Sequence, residues 1–228
     1  IQIPIYNLIK RNSRQAWYKK MIEVLTSNTP NGKKITIMLE EIGYDYKITK
    51  ININKDEQFK PEFQKISPFR KIPVIIDHKN NLTMFESGAI LIYLAEKSGK
   101  FYDPKKRTII NQWLIGQMAY VGPMLGQHHQ FHHYNSGKSK FGEERYFKIC
   151  ERIYFELDKR LKDSRYLAYD EYTIADIATF PWIARHEWHD IGLNKYKNLS
   201  RWYSEISLRD KVKKGYDLLS KGEEIPKV

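Results

Sequence analysis

The strongest constraint on this chain's fold is a change of rhythm near residue 100. Before it, short strand-like runs alternate with short helical ones; after it, strand signals stop. Ile22, Val24 and Leu25 make a strand-like run that ends in the turn residues Ser27-Asn28-Thr29-Pro30-Asn31-Gly32. Ile35, Ile37, Met38, Leu39 and Ile42 then fall at helical spacing, with Gly43 as the stop. Tyr46, Ile48, Ile51 and Ile53 predict a second strand, and Pro61 opens a short helix to Ile66. Residues 73–77 and 82–85 read as two strands around a turn at 78–81, and 87–97 as a helix stopped by Gly99. Beyond Phe101 only long helical periods remain: Trp113, Leu114 and Met118 mark one helix, and Ile149, Ile153, Leu157 and Leu161 another. Thr173-Ile174-Ala175-Asp176 opens a further helix with a capping box, and Tyr172 and Ile177 are placed as its hydrophobic staple.

The order strand, helix, strand, helix, strand, strand, helix is the thioredoxin-like arrangement. The expected fold class is therefore α/β plus all-α: a thioredoxin-like domain over residues 21–100 and an all-helical domain over 101–228. Residues 1–20 lack a clean period and read as an N-terminal extension.

Bulk properties narrow the field without reaching function. The hydrophobic fraction of 41% and charged fraction of 29% fit a folded soluble protein. No apolar run approaches the roughly 20 residues of a membrane-spanning helix, and no membrane association is expected. The opening stretch carries Arg11, Arg14, Lys19 and Lys20 without the apolar core of a secretory signal. The chain starts at Ile1, so a short targeting segment stays an open reading. Cys150 is the single cysteine, which favours a reducing compartment and a cytoplasmic protein. The formal charge of +12 suits anionic partners, yet the basic residues are scattered and form no recognised nucleic-acid motif. Nucleic-acid binding is not expected.

Three segments of the first domain carry binding chemistry. Ile72-Pro73 opens the third strand. A cis proline there would leave the Ile72 N–H and C=O free to pair, strand-fashion, with a short peptide; the dipeptide alone reads equally as an ordinary strand start. Glu86-Ser87-Gly88-Ala89 stands where a strand enters a helix. Free N–H groups at such a start receive an anion, the Ser87 hydroxyl would add a contact to a carboxylate, and Glu86 would pair with an α-amino group. Plain helix capping is the competing reading. Asn28-Thr29-Pro30-Asn31-Gly32 begins the first helix, where a thiol would ionise more easily and where Thr29 and Asn31 can donate to its sulfur. Taken alone it is a turn.

Together, Thr29-Pro30-Asn31-Gly32, Ser67 through Pro73, Phe85 through Leu91 and Thr173 through Asp176 resemble, in order, the glutathione transferases. The resemblance runs from about Met21 to about Leu219. Within that superfamily the chain is most similar to the nu class, the bacterial glutathione-dependent disulfide-bond reductases. Thr-Pro-Asn-Gly stands where other classes place a catalytic Tyr, Ser or Cys, and two further stretches match the class: Gln58 through Phe63 and Gly122 through Gln127. The resemblance implies that Thr29 and Asn31 are catalytic. It implies that Gln58, Lys71, Ile72, Pro73, Glu86, Ser87 and Arg145 hold glutathione, and that Gln127 and His128 line the second-substrate pocket. It also implies a homodimer. Phe69-Arg70 and Gln127-His128-His129 depart from the family's usual residues at the rim, which touches substrate choice more than glutathione binding.

Reducing a disulfide takes one thiolate to attack and a second thiol to resolve. Cys150 lies in a helical stretch of the second domain and reads as a packed core residue. Both thiols would then come from glutathione, as two molecules or as oxidised glutathione in one site, with a small-molecule or peptide disulfide as the other partner. His128, His129, His132 and His133 share helix faces but lack a cysteine or carboxylate to complete a metal set, and no metal is expected. Glutathione conjugation, peroxide reduction and a non-catalytic binding or regulatory module stay open as alternatives, because fold alone does not fix function.

Overall fold

Four strands form one mixed sheet in the order β2-β1-β3-β4. The structure, a computed structural model, describes residues 21–228; the extension expected at 1–20 lies outside the described residues. Strands β1 (Ile22–Thr26) and β2 (Tyr46–Lys50) run parallel, joined by helix α1 (Pro30–Ile42). Strand β3 (Val74–Asp77) lies antiparallel to β1 and to β4 (Leu82–Phe85), which leads into helix α3 (Ser87–Ser98). A short helix α2 (Pro61–Gln64) precedes β3.

Helix α1 shows how local sequence sets these bounds. The Thr29 hydroxyl caps it by accepting from the Gly32 N–H at 3.1 Å, and Pro30 fills the first turn. Gly43, at φ +76°, ends it with its N–H donating to the Leu39 carbonyl. Strand β2 is shorter than expected. It stops at Lys50, because the Asn52 side chain accepts from the Asn54 N–H and winds Ile53–Lys55 into a 3₁₀ turn. Ile53 is therefore a turn residue rather than a strand residue.

The second half is helical. Helix α4 (Arg107–Gly116), a π-helical turn (Gln117–Val121), helix α5 (Gly122–His128) and a second π-helical stretch (His129–Tyr134) follow without a loop between them. Then come α6 (Lys140–Lys162), α7 (Ile174–Ile183), the one-turn α8 (His186–His189), α9 (Lys197–Ser207) and α10 (Asp210–Asp217). The capping box expected at Thr173–Asp176 forms, with the Asp176 carboxylate accepting from the Thr173 N–H at 2.9 Å. Among the described residues no helix is long and apolar enough to cross a membrane.

The two halves meet along α1, which packs between α3, α7 and α10. A Cβ on Gly215 would lie 2.5 Å from the Ile37 Cα, so only glycine lets α10 come this close. At the same contact the Thr36 hydroxyl donates to the Gly215 carbonyl at 2.7 Å.

Candidate active site

Strand register gathers the three candidate segments at one end of the sheet. Leu25 of β1 pairs with Val74 of β3, and Val74 pairs with Phe85 of β4. The turn after β1, the residues before β3 and the residues after β4 therefore leave the sheet side by side. Thr26 also pairs with Lys50 at the end of β2, which delivers the 53–59 stretch and Gln58 to the same end. Segments separated by some 60 residues of sequence become the walls of one site.

The chemistry of each wall follows from its backbone. The Ile72–Pro73 peptide is cis. Among the described residues the Ile72 N–H and C=O make no hydrogen bond, so both are available to an extended ligand. Lys71 beside it has its main chain fixed by Ser67, whose hydroxyl accepts from the Lys71 N–H at 3.1 Å and donates to its carbonyl at 2.7 Å; its side chain is exposed. Glu86 sits at φ +70°, a conformation that costs a non-glycine residue about 1–3 kcal/mol and concentrates at functional sites. That turn starts α3 abruptly, with the Glu86 side chain exposed and no side-chain cap on the first N–H groups. The Gln58 amide donates to the Ile53 carbonyl, while its buried Oε1 has no partner.

The Thr29 hydroxyl oxygen is occupied as the α1 cap, which leaves its proton free to donate outward to a sulfur at the helix start. Asn31 is held from the other domain: its Oδ1 accepts from the Trp182 Nε1–H at 3.1 Å, which turns the amide's NH₂ end away as the free donor. Trp182 lies on α7 and rests on Gly122 and Gly126 of α5, where a Cβ would come within 3.3 and 3.4 Å of its ring. These glycines give the matched Gly122–Gln127 stretch a physical role: they form a flat bed for the indole that orients Asn31.

Family models match at both halves of the chain: the glutathione S-transferase N-terminal domain over residues 24–96 and the C-terminal domain over 132–210. The disulfide-bond oxidoreductase YfcG of Escherichia coli is 43% identical over 196 residues, covering 83% of this chain and 91% of that protein. The chain belongs to the glutathione S-transferase family. Among solved structures, a Burkholderia graminis glutathione transferase with two glutathione molecules bound per subunit superposes with a TM-score of 0.85 at 32% identity, over 95% of this chain and all of that one. A Pseudomonas putida glutathione transferase with one glutathione disulfide per subunit gives 0.82 at 36% identity, over 90% and 96%.

Not every residue expected at this transferase site is brought to it. His128 is fully buried in the helical domain, its Nε2 within 2.9 Å of the His189 carbonyl and its ring stacked on His132. It is a core residue and does not line an open pocket. The neighbouring ring, His129, stacks on Trp182 and on His189, and burial pushes it down to about 3, so it is uncharged at neutral pH. Gln127 and Arg145 are exposed and make no hydrogen bond or ion pair among the described residues. A Cβ on Gly88 would strike Met118 of the helical domain at 2.9 Å, so its bare Cα admits that side chain. Among the described residues no group of three or more His, Cys, Asp or Glu side chains converges to hold a metal.

Cys150 is fully buried on α6, its Sγ facing the Met124 carbonyl at 3.8 Å, and burial pushes its thiol up to about 12. That burial keeps the thiol protonated and its sulfur within the core.

Sequence reasoning missed Trp182 as an orienting group and two lysines on α1. Lys33 is fully buried, its Nζ 2.7 Å from the Tyr216 carbonyl and 3.0 Å from Glu223 Oε1. Lys34 reaches the opposite way, to Ser87 and Gln117. In the sequence they are two more members of a scattered basic set.

Proposed function

We propose that this glutathione transferase reduces disulfides at the expense of glutathione, with both reacting thiols supplied by glutathione. The convergence at one sheet end of the Thr29 cap, the unpaired Ile72 backbone and the uncapped start of α3 carries this reading. Glutathione's cysteinyl backbone pairs with Ile72 beside Pro73. Its γ-glutamyl carboxylate sits on Ser87 and the α3 N-terminus, and its α-amino group pairs with Glu86. Gln58, with a free buried oxygen, faces the same ligand. The sulfur then lies at the α1 N-terminus, where the Thr29 hydroxyl, the Asn31 amide and the helix dipole favour the thiolate.

The reaction balances without an enzyme thiol. The first glutathione thiolate attacks one sulfur of the substrate disulfide, the S–S bond breaks, and the departing thiolate takes a proton. A second glutathione thiolate attacks the glutathionyl sulfur of the mixed disulfide, expels the remaining thiol and leaves as glutathione disulfide. The exposed Lys71 and Arg145 are suited to the carboxylates of that second molecule, and the overall +12 charge raises the local concentration of such anions. Gln127 belongs to the rim on the helical side. The buried Cys150 supports the two-glutathione route, because it can neither attack nor resolve.

We further propose a homodimer and a cytoplasmic setting. Helix α4, the π-helical turn after it and α6 present an apolar cleft of about 270 Å³ lined by Trp113, Tyr120, Val121, Ile153 and Leu157, a face that a second copy would cover. A cytoplasmic glutathione pool supplies reduced cosubstrate continuously.

The test is reduction of a small soluble disulfide by glutathione, followed as NADPH consumption through glutathione reductase. A rate well above uncatalysed exchange is expected. Greater activity on an aryl halide or hydroperoxide than on the disulfide would replace the reading with conjugation or peroxide reduction. Glutathione binding without turnover would make the chain a binding module.

A further inference from the structure

Lys34 leaves α1 just after the Thr29 cap, and only 1% of it is exposed. A buried ammonium is costly unless an anion stands beside it. Here the donors of Nζ meet only neutral acceptors: Gln117 Oε1 at 2.7 Å, Ser87 Oγ at 3.3 Å and Met118 Sδ at 3.7 Å. Its surroundings account for its charge poorly from every side. From α3 the ionised neighbour is Glu86, which acts on it without a hydrogen bond. The π-helical turn contributes the uncharged Gln117 and Met118. α10 and the tail direct Tyr216 and Glu223 to Lys33 instead. α7 brings Trp182 to Asn31, and among the described residues gives Lys34 no ionised partner. Gln117 is itself short of a contact, with a buried Nε2 that has no acceptor.

We propose that the missing anion is the ligand's γ-glutamyl carboxylate: Lys34 is the buried counter-charge that positions it through Ser87, and a proton moves from solvent onto Lys34 Nζ as the ligand binds. The inference rests on the placement of glutathione's γ-glutamyl end at Glu86 and Ser87. Ser87 is the hinge of the arrangement, since its oxygen lies within reach of Lys34 at the very start of α3. Without ligand, the Ser87 O–H points to Met118 Sδ at 3.5 Å while its oxygen accepts from Lys34 Nζ. With a carboxylate at the helix start, Ser87 turns its O–H outward to the carboxylate, and its oxygen accepts from the ammonium. Burial holds the free Lys34 well below the usual lysine range, with Glu86 opposing in part. A carboxylate one hydroxyl away raises it again. Between the free and bound values, binding takes up protons, and affinity falls as pH rises through that window.

Isothermal titration of the full chain with S-hexylglutathione tests this, because a blocked thiol releases no proton of its own. Run near pH 7 in two buffers of different ionisation enthalpy, the titration counts protons directly. Wild type is expected to take up about one proton per ligand. Lys34→Met should take up none and bind about tenfold more weakly. Ser87→Ala keeps Lys34 in place but breaks the relay, so it too should bind more weakly and lose the uptake; it serves should the Lys34 variant fail to fold. Binding to wild type with no proton uptake, or with the same uptake in Lys34→Met, overturns the role of Lys34 and leaves the glutathione site standing. No binding to wild type overturns both.

Discussion

Two polar clusters on this molecule are buried alike and completed very differently. At the start of α7 the Asp176 carboxylate is fully buried, and its oxygens accept from the Leu167 N–H, the Trp202 Nε1–H, the Thr173 N–H and the Thr173 hydroxyl at 2.9–3.0 Å. At the end of the sheet proposed to hold glutathione, Asn28 Oδ1, Gln58 Oε1 and Gln117 Nε2 are buried without partners, the Ile72 main chain is unpaired, and Lys34 hydrogen-bonds no anion. An unsatisfied buried polar atom costs about 1–3 kcal/mol, so a group of them beside an open site is where a bound ligand would recover the most. The finished network holds structure, and the unfinished one is where the proposed glutathione would bind. The orphan atoms of the helical domain are mostly single ring nitrogens of His128, His129, His186 and His189. Burial holds all four imidazoles below their ordinary value, toward the uncharged form.

The largest effect should come from breaking the finished network. Asp176→Ala removes the acceptor for four donors buried between α7, α9 and the 164–170 loop. It should cost about 3–5 kcal/mol of stability, read as the shift of a urea unfolding midpoint. The refolded fraction should keep its glutathione affinity; a selective loss of affinity without loss of stability would erase the contrast between the clusters. Thr29→Ala should do the reverse. Losing the cap costs about 1 kcal/mol of stability, while loss of a donor to the sulfur should slow disulfide reduction about 10- to 100-fold. Unchanged turnover would take Thr29 out of the mechanism.

How far each cluster was legible in the sequence follows the same division. Signals that act within a few residues were readable: the Gly43 stop, the 82–85 strand and the Thr173–Asp176 box all form where their residue types place them. Strand register then carried the Ile72 and Glu86 segments to one end of the sheet. Properties set by partners far along the chain were not readable. Lys33 and Lys34 look like surface lysines until Tyr216 and Glu223, or Ser87 and Gln117, arrive from 53 to about 190 residues away. His128 carries no hydropathic mark of the core, yet α8 supplies the His189 carbonyl that allows its burial. Ile53 kept the strand's apolar alternation, but the Asn52 side chain offered the backbone a turn instead.

Lys33 gives a finer test, since it is buried like Lys34 but has its carboxylate. Burial pushes it down to about 8, against an ordinary 10.5, with Glu223 opposing the shift. Between those values the unfolded chain binds more protons than the folded one, so stability rises with pH across that window. Lys33→Met has no such titrating group. Wild type should therefore gain stability relative to the variant as pH is raised from about 8 to about 10.5, measured as the difference in urea midpoints. A constant difference would mean that Glu223 keeps Lys33 charged throughout, and that the finished pair resembles Asp176 more closely than it resembles Lys34.

The smallest expected effect bears on the chemistry most directly. Cys150 sits inside the helical domain, packed on α6 against α5, with a thiol pushed up to about 12 by burial. An attacking thiol works best with its own value near the ambient pH, and one protonated through the physiological range contributes almost nothing. Cys150→Ala removes one buried sulfur, which should cost about 1 kcal/mol of stability. It should leave the rate of glutathione-dependent disulfide reduction within about twofold of wild type, because both thiols arrive with the ligand and both bind at the sheet end. Measured side by side, unfolding would register the substitution and turnover would not. A collapse of turnover in a folded Cys150→Ala protein would require the helical domain to open during catalysis and expose that sulfur. The chemistry would then belong to both domains, and the unfinished polar cluster would hold only the glutathione.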